Sequence, residues 1–169
     1  MDGFNGTIFA YGQTGSGKTF TMNGVLENPE LEGLIPRIIK EIFERIATGS
    51  SDIEYNVKVS MIEIYMEKIK DLVDPTRENL NVREEKGKGL YIEGLSETEV
   101  INVEEVYTVL KIGNDNRSVA FTKMNDNSSR SHSIVIITIK QNNLTTLVAK
   151  SGKLYLVDLA GSEKISKTG

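Results

Sequence analysis

The segment Gly12-Gln13-Thr14-Gly15-Ser16-Gly17-Lys18-Thr19 fills every fixed position of the pattern G-x-x-x-x-G-K-[ST], and it directly follows the apolar run Thr7-Ile8-Phe9-Ala10-Tyr11. A strand that runs into such a loop and then into the helix-compatible Lys18-Thr19-Phe20-Thr21-Met22 sets a strand, loop, helix order. Glycines at 12, 15 and 17 let successive N–H groups turn inward, and the positive end of the following helix reinforces them, so the backbone forms a cradle for polyphosphate. Lys18 then reaches the β- and γ-phosphates, and the Thr19 hydroxyl binds Mg2+. Nucleotide binding is the first expectation.

With 169 residues and 38% hydrophobic content, the chain fits one domain with a real core. It has no cysteine and a single histidine, His132, so disulfides, thiolate metal sites and multi-histidine metal sites are excluded. A reducing, cytoplasmic setting follows from the same composition. No apolar run approaches the roughly 20 residues of a membrane span, and Met1-Asp2-Gly3 does not open a signal peptide. The net charge of −4 argues against a nucleic-acid binder that works through overall positive potential. Arg77, Arg83, Lys86 and Lys88 cluster locally, but Glu78, Glu84 and Glu85 are interleaved with them, as in a solvated mixed-charge loop.

Strands are predicted at Thr7–Tyr11, Tyr55–Tyr65, Ser133–Lys140 and Lys153–Val157, each rich in β-branched or aromatic residues. Ile35, Ile38, Ile39, Ile42, Phe43 and Ile46 follow the spacing of a helix with one buried face, and Pro36 suits its first turn. A second helix starts at Asn102, where Glu105 completes a capping-box pattern and Val103, Val106, Tyr107 and Leu110 form the apolar stripe. Asn23–Gly33 reads as an exposed loop. Leu80-Asn81-Val82 and Leu90-Tyr91-Ile92 flank the turn Glu85–Gly89 and predict a hairpin projecting from the main sheet. Alternating strands and helices indicate an α/β domain with a central sheet, which the hairpin makes mixed.

Hydrolysis needs more than a phosphate loop: an acid that orders the metal and a group that senses the γ-phosphate. Leu154-Tyr155-Leu156-Val157 ends in Asp158-Leu159-Ala160-Gly161, which puts Asp158 at the carboxyl end of a buried strand, where open α/β sheets hold ligands. From there Asp158 can hold a Mg2+-bound water, and Gly161 can offer its N–H to the γ-phosphate. The polar segment Asn125-Asp126-Asn127-Ser128-Ser129-Arg130-Ser131-His132 leads into another strand. Its hydroxyls suit phosphate and metal work, and each serine alone also suits an ordinary turn. Arg130 fits a surface arginine or a charge partner for Glu163, and His132 fits a structural role as well as a chemical one.

Asn125-x-x-Ser128-Ser129-Arg130-Ser131-His132, Asp158-Leu159-Ala160-Gly161-Ser162-Glu163 and Gly12–Thr19 together resemble the three nucleotide-sensing motifs of the kinesin motor domain, in their usual order. The resemblance extends along essentially all of residues 1–169, and the ending Glu163–Gly169 is most similar to conventional kinesin heavy chains. It implies a P-loop NTPase-type fold with a central, mostly parallel mixed sheet flanked by helices, and a projecting β-hairpin. Activity would be microtubule-dependent hydrolysis of ATP with Mg2+, in the cytoplasm on the microtubule cytoskeleton. The nucleotide-binding residues implied are Gly12, Gln13, Thr14, Gly15, Ser16, Gly17, Lys18, Thr19 and Phe20, the last against adenine. Thr19, Ser129 and, through water, Asp158 would hold Mg2+; Ser128, Ser129, Arg130, Gly161 and Glu163 would act on the γ-phosphate and attacking water. Asn125–His132 would be the first switch and Asp158–Glu163 the second; Arg130 and Glu163 would pair to close them, and Glu163 would help relay a proton. Arg77, Arg83, Lys86 and Lys88 would face tubulin.

Against that family the sequence reads as an internal portion of a motor, lacking the first strands and helix, the relay helix and the neck linker. Any dimerisation would use regions outside it, and neither nucleic acid nor membrane insertion is expected. A nonmotile nucleotide-binding or tubulin-interaction module is the alternative. A small GTPase would share the phosphate loop and Asp-x-x-Gly but needs an Asn-Lys-x-Asp segment that is absent here.

Overall fold

The computed structural model describes residues 2–26, 28–86, 89–123 and 128–163. Along the chain these form β1 (Gly6–Ala10), α1 (Lys18–Met22), α2 (Leu34–Ala47), β2 (Ile53–Tyr65), β3 (Lys68–Asp71), β4 (Val82–Glu85), β5 (Gly89–Ile92), β6 (Thr98–Val100), α3 (Val103–Lys123), β7 (His132–Asn143) and β8 (Ala149–Asp158). The main sheet runs β1-β8-β7-β2-β3, with β6 also paired to β2, and β4-β5 form a separate two-stranded sheet.

The sheet is mixed, as expected, but it is not mostly parallel. β1 and β8 are the parallel pair, whereas β8–β7, β7–β2, β2–β3 and β2–β6 are antiparallel. Tight connections explain the difference, because a short turn can join only antiparallel neighbours. Met66 and Glu67 alone link β2 to β3, with φ of 47° and 60°, the pair of positive values that a two-residue type I′ hairpin requires. Between β7 and β8, Asn143 Oδ1 accepts from the N–H groups of Thr145 and Thr146 and turns the chain back. The predicted hairpin is present, with Val82 opposite Ile92 and Glu85 opposite Gly89.

The core lies between one face of the sheet and the helices. Side chains alternate along strands, so Val57, Val59 and Met61 of β2, Val135 and Ile137 of β7, and Leu156 of β8 share a face. Ile35, Ile39 and Ile42 of α2 and Val106, Val109 and Leu110 of α3 pack onto it. The predicted cap of α3 forms: Asn102 Oδ1 accepts from Glu105 N at 2.8 Å, and Glu105 Oε2 accepts from Ile101 N at 2.9 Å. Gly113 lets α3 approach β2 closely, since a Cβ there would lie deep inside the Met61 thioether and 3.3 Å from its Cγ.

That approach matters one turn further on. Val103, Val106, Leu110, Gly113 and Arg117 are spaced three and four apart, so Arg117 continues the buried stripe of α3. Glu63 continues the core face of β2 beyond Met61, and Asp158 that of β8 beyond Leu156; both align with Ser133 of β7 across the sheet. The apolar layer therefore ends in a polar edge. β1 ends at the same edge, with Ala10 opposite Asp158, and delivers the glycine-rich loop there.

Candidate nucleotide site

The loop takes the form its glycines permit. Gly15 and Gly17 have φ of 79° and 86°, in the left-handed region, and a Cβ at either would meet nothing within 4 Å, so conformation rather than room selects glycine at these two positions. Gly17 is also the N-terminal cap of α1. Lys18 Nζ donates to the carbonyls of Gly12 at 2.9 Å and Gln13 at 2.8 Å, which holds its charge over the loop. A cavity of about 300 Å3 lies alongside, lined by residues including Thr14, Lys18, Thr19, Phe20, Ser129, Asp158 and Gly161. Its volume is at the small end for a ligand cleft. A larger cleft of about 670 Å3 separates the hairpin from the opposite sheet face, but Ile62, Ile64, Val82, Leu90, Ile134 and Ile136 are among its lining residues. That aliphatic lining does not suit phosphate, so the chemistry belongs to the smaller cavity.

Asp158 is the buried acid of this site, 4% exposed. Its Oδ2 accepts from the Thr19 hydroxyl at 2.6 Å, so the two metal-binding candidates from separate motifs touch. Oδ1 of Asp158 is buried and, among the described residues, accepts no hydrogen bond. A buried carboxylate oxygen without a donor is costly, and a hydrated cation would satisfy it. Mg2+ suits the donor set, since it binds through one or two protein oxygens, waters and substrate phosphates. Among the described residues no cluster of three or more His, Cys, Asp or Glu offers a self-contained metal cage.

Through the backbone, Asp158–Glu163 meets the loop and the serine-rich segment ending at His132 meets Asp158–Glu163. Leu159 N donates to Ala10 O, Ser162 N to Gly12 O, and Gly161 N to Ser129 O at 2.8 Å. The Gly161 N–H expected to face phosphate thus binds the other segment here. His132 Nδ1 accepts from Ala160 N at 3.1 Å, which gives this residue a structural part in joining the segments. Glu163 accepts from Thr14 N at 2.9 Å and from the Thr14 hydroxyl. The Thr14 hydroxyl first, then the Thr14 and Glu163 backbone N–H groups and the Lys18 charge, hold its carboxyl below the usual range.

The expected closure by Arg130 and Glu163 is not formed: among the described residues no ion pair joins them, and Arg130 is exposed. Asn125, Asp126 and Asn127, the side chain of Ser128, Lys88 and 164–169 lie outside the described residues. In the hairpin region, Arg77 pairs with Asp74 at 2.8 Å and Arg83 with Glu93 at 3.0 Å, and Lys86 is exposed. Part of that positive charge is therefore compensated locally.

Sequence motifs did not single out Arg117 or Glu63. Arg117 Nη1 lies 3.5 Å from Asp158 Oδ2, Nε 3.8 Å from Glu63 Oε1, and Nη2 donates to Ser131 Oγ at 3.4 Å. All four residues are at most 7% exposed. The signal was periodicity rather than motif: a charge continuing an apolar stripe.

A phosphate loop between β1 and α1, with an acid at the carboxyl end of the adjacent parallel strand touching the loop's threonine, defines a P-loop nucleotide-binding protein. The family model for the kinesin motor domain matches residues 1–169, and the chain belongs to that family. It is 58% identical to a kinesin heavy chain of Syncephalastrum racemosum, over 99% of this chain and 18% of the relative. It is 55% identical to kinesin heavy chain isoform 5A of Homo sapiens, over 100% of this chain and 16% of the relative. A solved structure of a fast kinesin, described in terms of its ATPase mechanism and interactions with microtubules, superimposes with a TM-score of 0.96 at 56% identity. The match covers 99% of this chain and 48% of that one. The chain thus spans about a sixth of the length of these curated relatives.

Proposed function

We propose that this chain is the ATP-binding and ATP-hydrolysing part of a microtubule-based motor, in the cytoplasm. The observation that carries the reading is the meeting of three sequence-distant motifs at one sheet edge, with Thr19 bonded to Asp158, Gly161 to Ser129, and Ser162 to Gly12. In the site, the inward N–H groups of Gly12–Lys18 and the Lys18 ammonium would bind the β- and γ-phosphates, and the Phe20 ring, exposed at the cavity rim, would stack on adenine. Thr19 and Asp158, with Ser129, would hold Mg2+, which supplies neutralisation of phosphate charge in the transition state. Glu163 would accept a proton from water through the second switch, released from Thr14 when Arg130 takes its place.

Because Gly161 and Ser129 are bonded to each other, any group that draws the Gly161 N–H away also loosens the first segment. That backbone link is a physical route from phosphate sensing to movement of both switches. The hairpin, through Arg77, Arg83, Lys86 and Lys88, would face the acidic surface of tubulin, with Lys86 and Lys88 supplying more attraction than the two locally paired arginines.

The test uses a fluorescent ATP analogue with this chain, and ATPase assays after joining it to the remaining motor segments of a relative. Lys18→Ala should abolish analogue binding, whereas Glu163→Ala should spare binding and suppress turnover. Equal loss of binding in both variants would contradict the assigned roles. Directed movement in a gliding assay by the joined protein separates a motor from a nonmotile module.

A further inference from the structure

We propose that Thr14 is a specificity-determining residue of the site: it pins the Glu163 carboxylate beside the place of the γ-phosphate, and so holds back a nucleoside triphosphate but not a diphosphate. The inference rests on the nucleotide reading above and deepens it. Glu163 accepts from the Thr14 N–H at 2.9 Å and from the Thr14 hydroxyl. One residue earlier, Ser162 N donates to Gly12 O at 3.0 Å, so two successive residues of the second switch are fastened to the phosphate loop.

Gly161 fixes where that carboxylate lies. A Cβ on Gly161 would sit inside both the Glu163 carboxylate and the Thr14 hydroxyl, so the three groups meet at one spot. Thr14 and Gly161 both line the nucleotide cavity, and Gly161 is the residue expected to sense the γ-phosphate. A terminal phosphate reaching Gly161 therefore arrives beside a pinned group of its own charge, and like charges at such range repel. It also finds the Thr14 N–H already taken by an anion. A diphosphate ends one phosphate short of this spot. Lys18, held over the loop by the Gly12 and Gln13 carbonyls, serves both nucleotides alike.

The contact suits a gate because it is reversible. Thr14 and Glu163 are both exposed, so water can replace either partner when the carboxylate leaves. A ligand that needs the open form binds more weakly by the fraction of molecules that are open, whereas a ligand with equal affinity for both forms is unaffected. One hydrogen bond from a hydroxyl to a carboxylate shifts that fraction by about tenfold.

The experiment measures dissociation constants of this chain in MgCl2 for fluorescently labelled ADP and for the equally labelled β,γ-imido triphosphate, which resists hydrolysis. Thr14→Val removes the hydroxyl and keeps the backbone N–H. Its expected triphosphate Kd is about tenfold below the parent's, with the ADP value unchanged. Thr14→Ser retains the hydroxyl and should keep the parent's ratio. Glu163→Ala removes the carboxylate itself and should tighten triphosphate binding at least as much; adding Thr14→Val to it should then change nothing, since the two residues act through one contact. A merely structural role for Thr14 moves both nucleotides together. An unchanged ratio of the two constants in Thr14→Val, a parallel shift in both, or additive effects in the double variant overturns the gate and leaves nucleotide binding intact. Where Thr14→Val does not fold, Glu163→Ala decides, and triphosphate binding no tighter than the parent's overturns the gate. Failure of the parent chain to bind either nucleotide overturns the nucleotide reading, and this inference with it.

Discussion

Gly113→Ala tests how closely α3 must sit on β2. Two opposing effects set the magnitude. Alanine in place of glycine within a helix gains about 1 kcal/mol from backbone entropy. Against this, the new Cβ would lie inside the Met61 thioether and at 3.3 and 3.4 Å from its Cγ and Cε. Met61 is 1% exposed and surrounded by core, so it cannot swing into solvent. Overpacking of this kind costs about 1–3 kcal/mol, and the flexible thioether places the cost near the middle of that range. The net expectation is destabilisation by about 1 kcal/mol. Urea unfolding followed by circular dichroism measures it. Met61→Val removes the atoms in conflict, so Gly113→Ala combined with Met61→Val should be more stable than the sum of the single effects by about 1 kcal/mol or more. A Gly113→Ala variant as stable as the parent, with strictly additive double-variant behaviour, would refute the tight approach and the reason given for the reach of Arg117.

Other consequences are equally direct. The Glu163 carboxyl, held low by Thr14, should titrate in carbon-13 NMR below the ordinary 4.5; a depressed native value stabilises the contact above pH 4.5 and loses it as pH falls through the native value. Thr14→Val, which removes the hydroxyl and keeps the backbone N–H, should raise the titration part of the way toward the ordinary value, and an unchanged curve would remove the Thr14 hydroxyl as the leading cause. Asp71 is fully buried, and its carboxylate accepts from the N–H groups of Val73, Asp74 and Ser96. Asp71→Ala should therefore cost about 3 kcal/mol in urea unfolding, through donors left without an acceptor, and a cost under about 1 kcal/mol would show that they find other partners. In the protein joined to the remaining motor segments, Lys86→Ala should weaken microtubule cosedimentation more than Arg83→Ala, because Glu93 already compensates Arg83; the reverse order would point to Arg83 leaving Glu93 for tubulin.

Elements with a strong period were legible in advance. The stripe Ile35–Ile46 gives α2, with Ile35, Ile39 and Ile42 buried, and the Asn102 and Glu105 pattern gives the start of α3 to within one residue. β3 and β6 were not anticipated. Both are short, and β3, Lys68–Asp71, has two lysines and an aspartate among its four residues, so no apolar alternation marks it. The turn before it uses Met66 and Glu67 at positive φ, where neither residue type signals a hairpin. That unmarked turn is one reason the sheet is mostly antiparallel rather than mostly parallel.

The local chemistry of this protein was written in the sequence. A glycine-rich loop after an apolar strand, and an acid after another, each need only neighbouring residues to take their form, because glycine φ freedom and strand alternation act over a few positions. Tertiary structure decided which of those groups meet. Strand register brings Asp158 beside Ala10 and Ser133, Gly113 lets α3 settle onto Met61, and that approach carries Arg117 between Glu63 and Asp158. It also gave Glu163 to Thr14 rather than to Arg130. Charges in a buried site choose partners by distance across the fold, and no spacing along one chain segment encodes that distance.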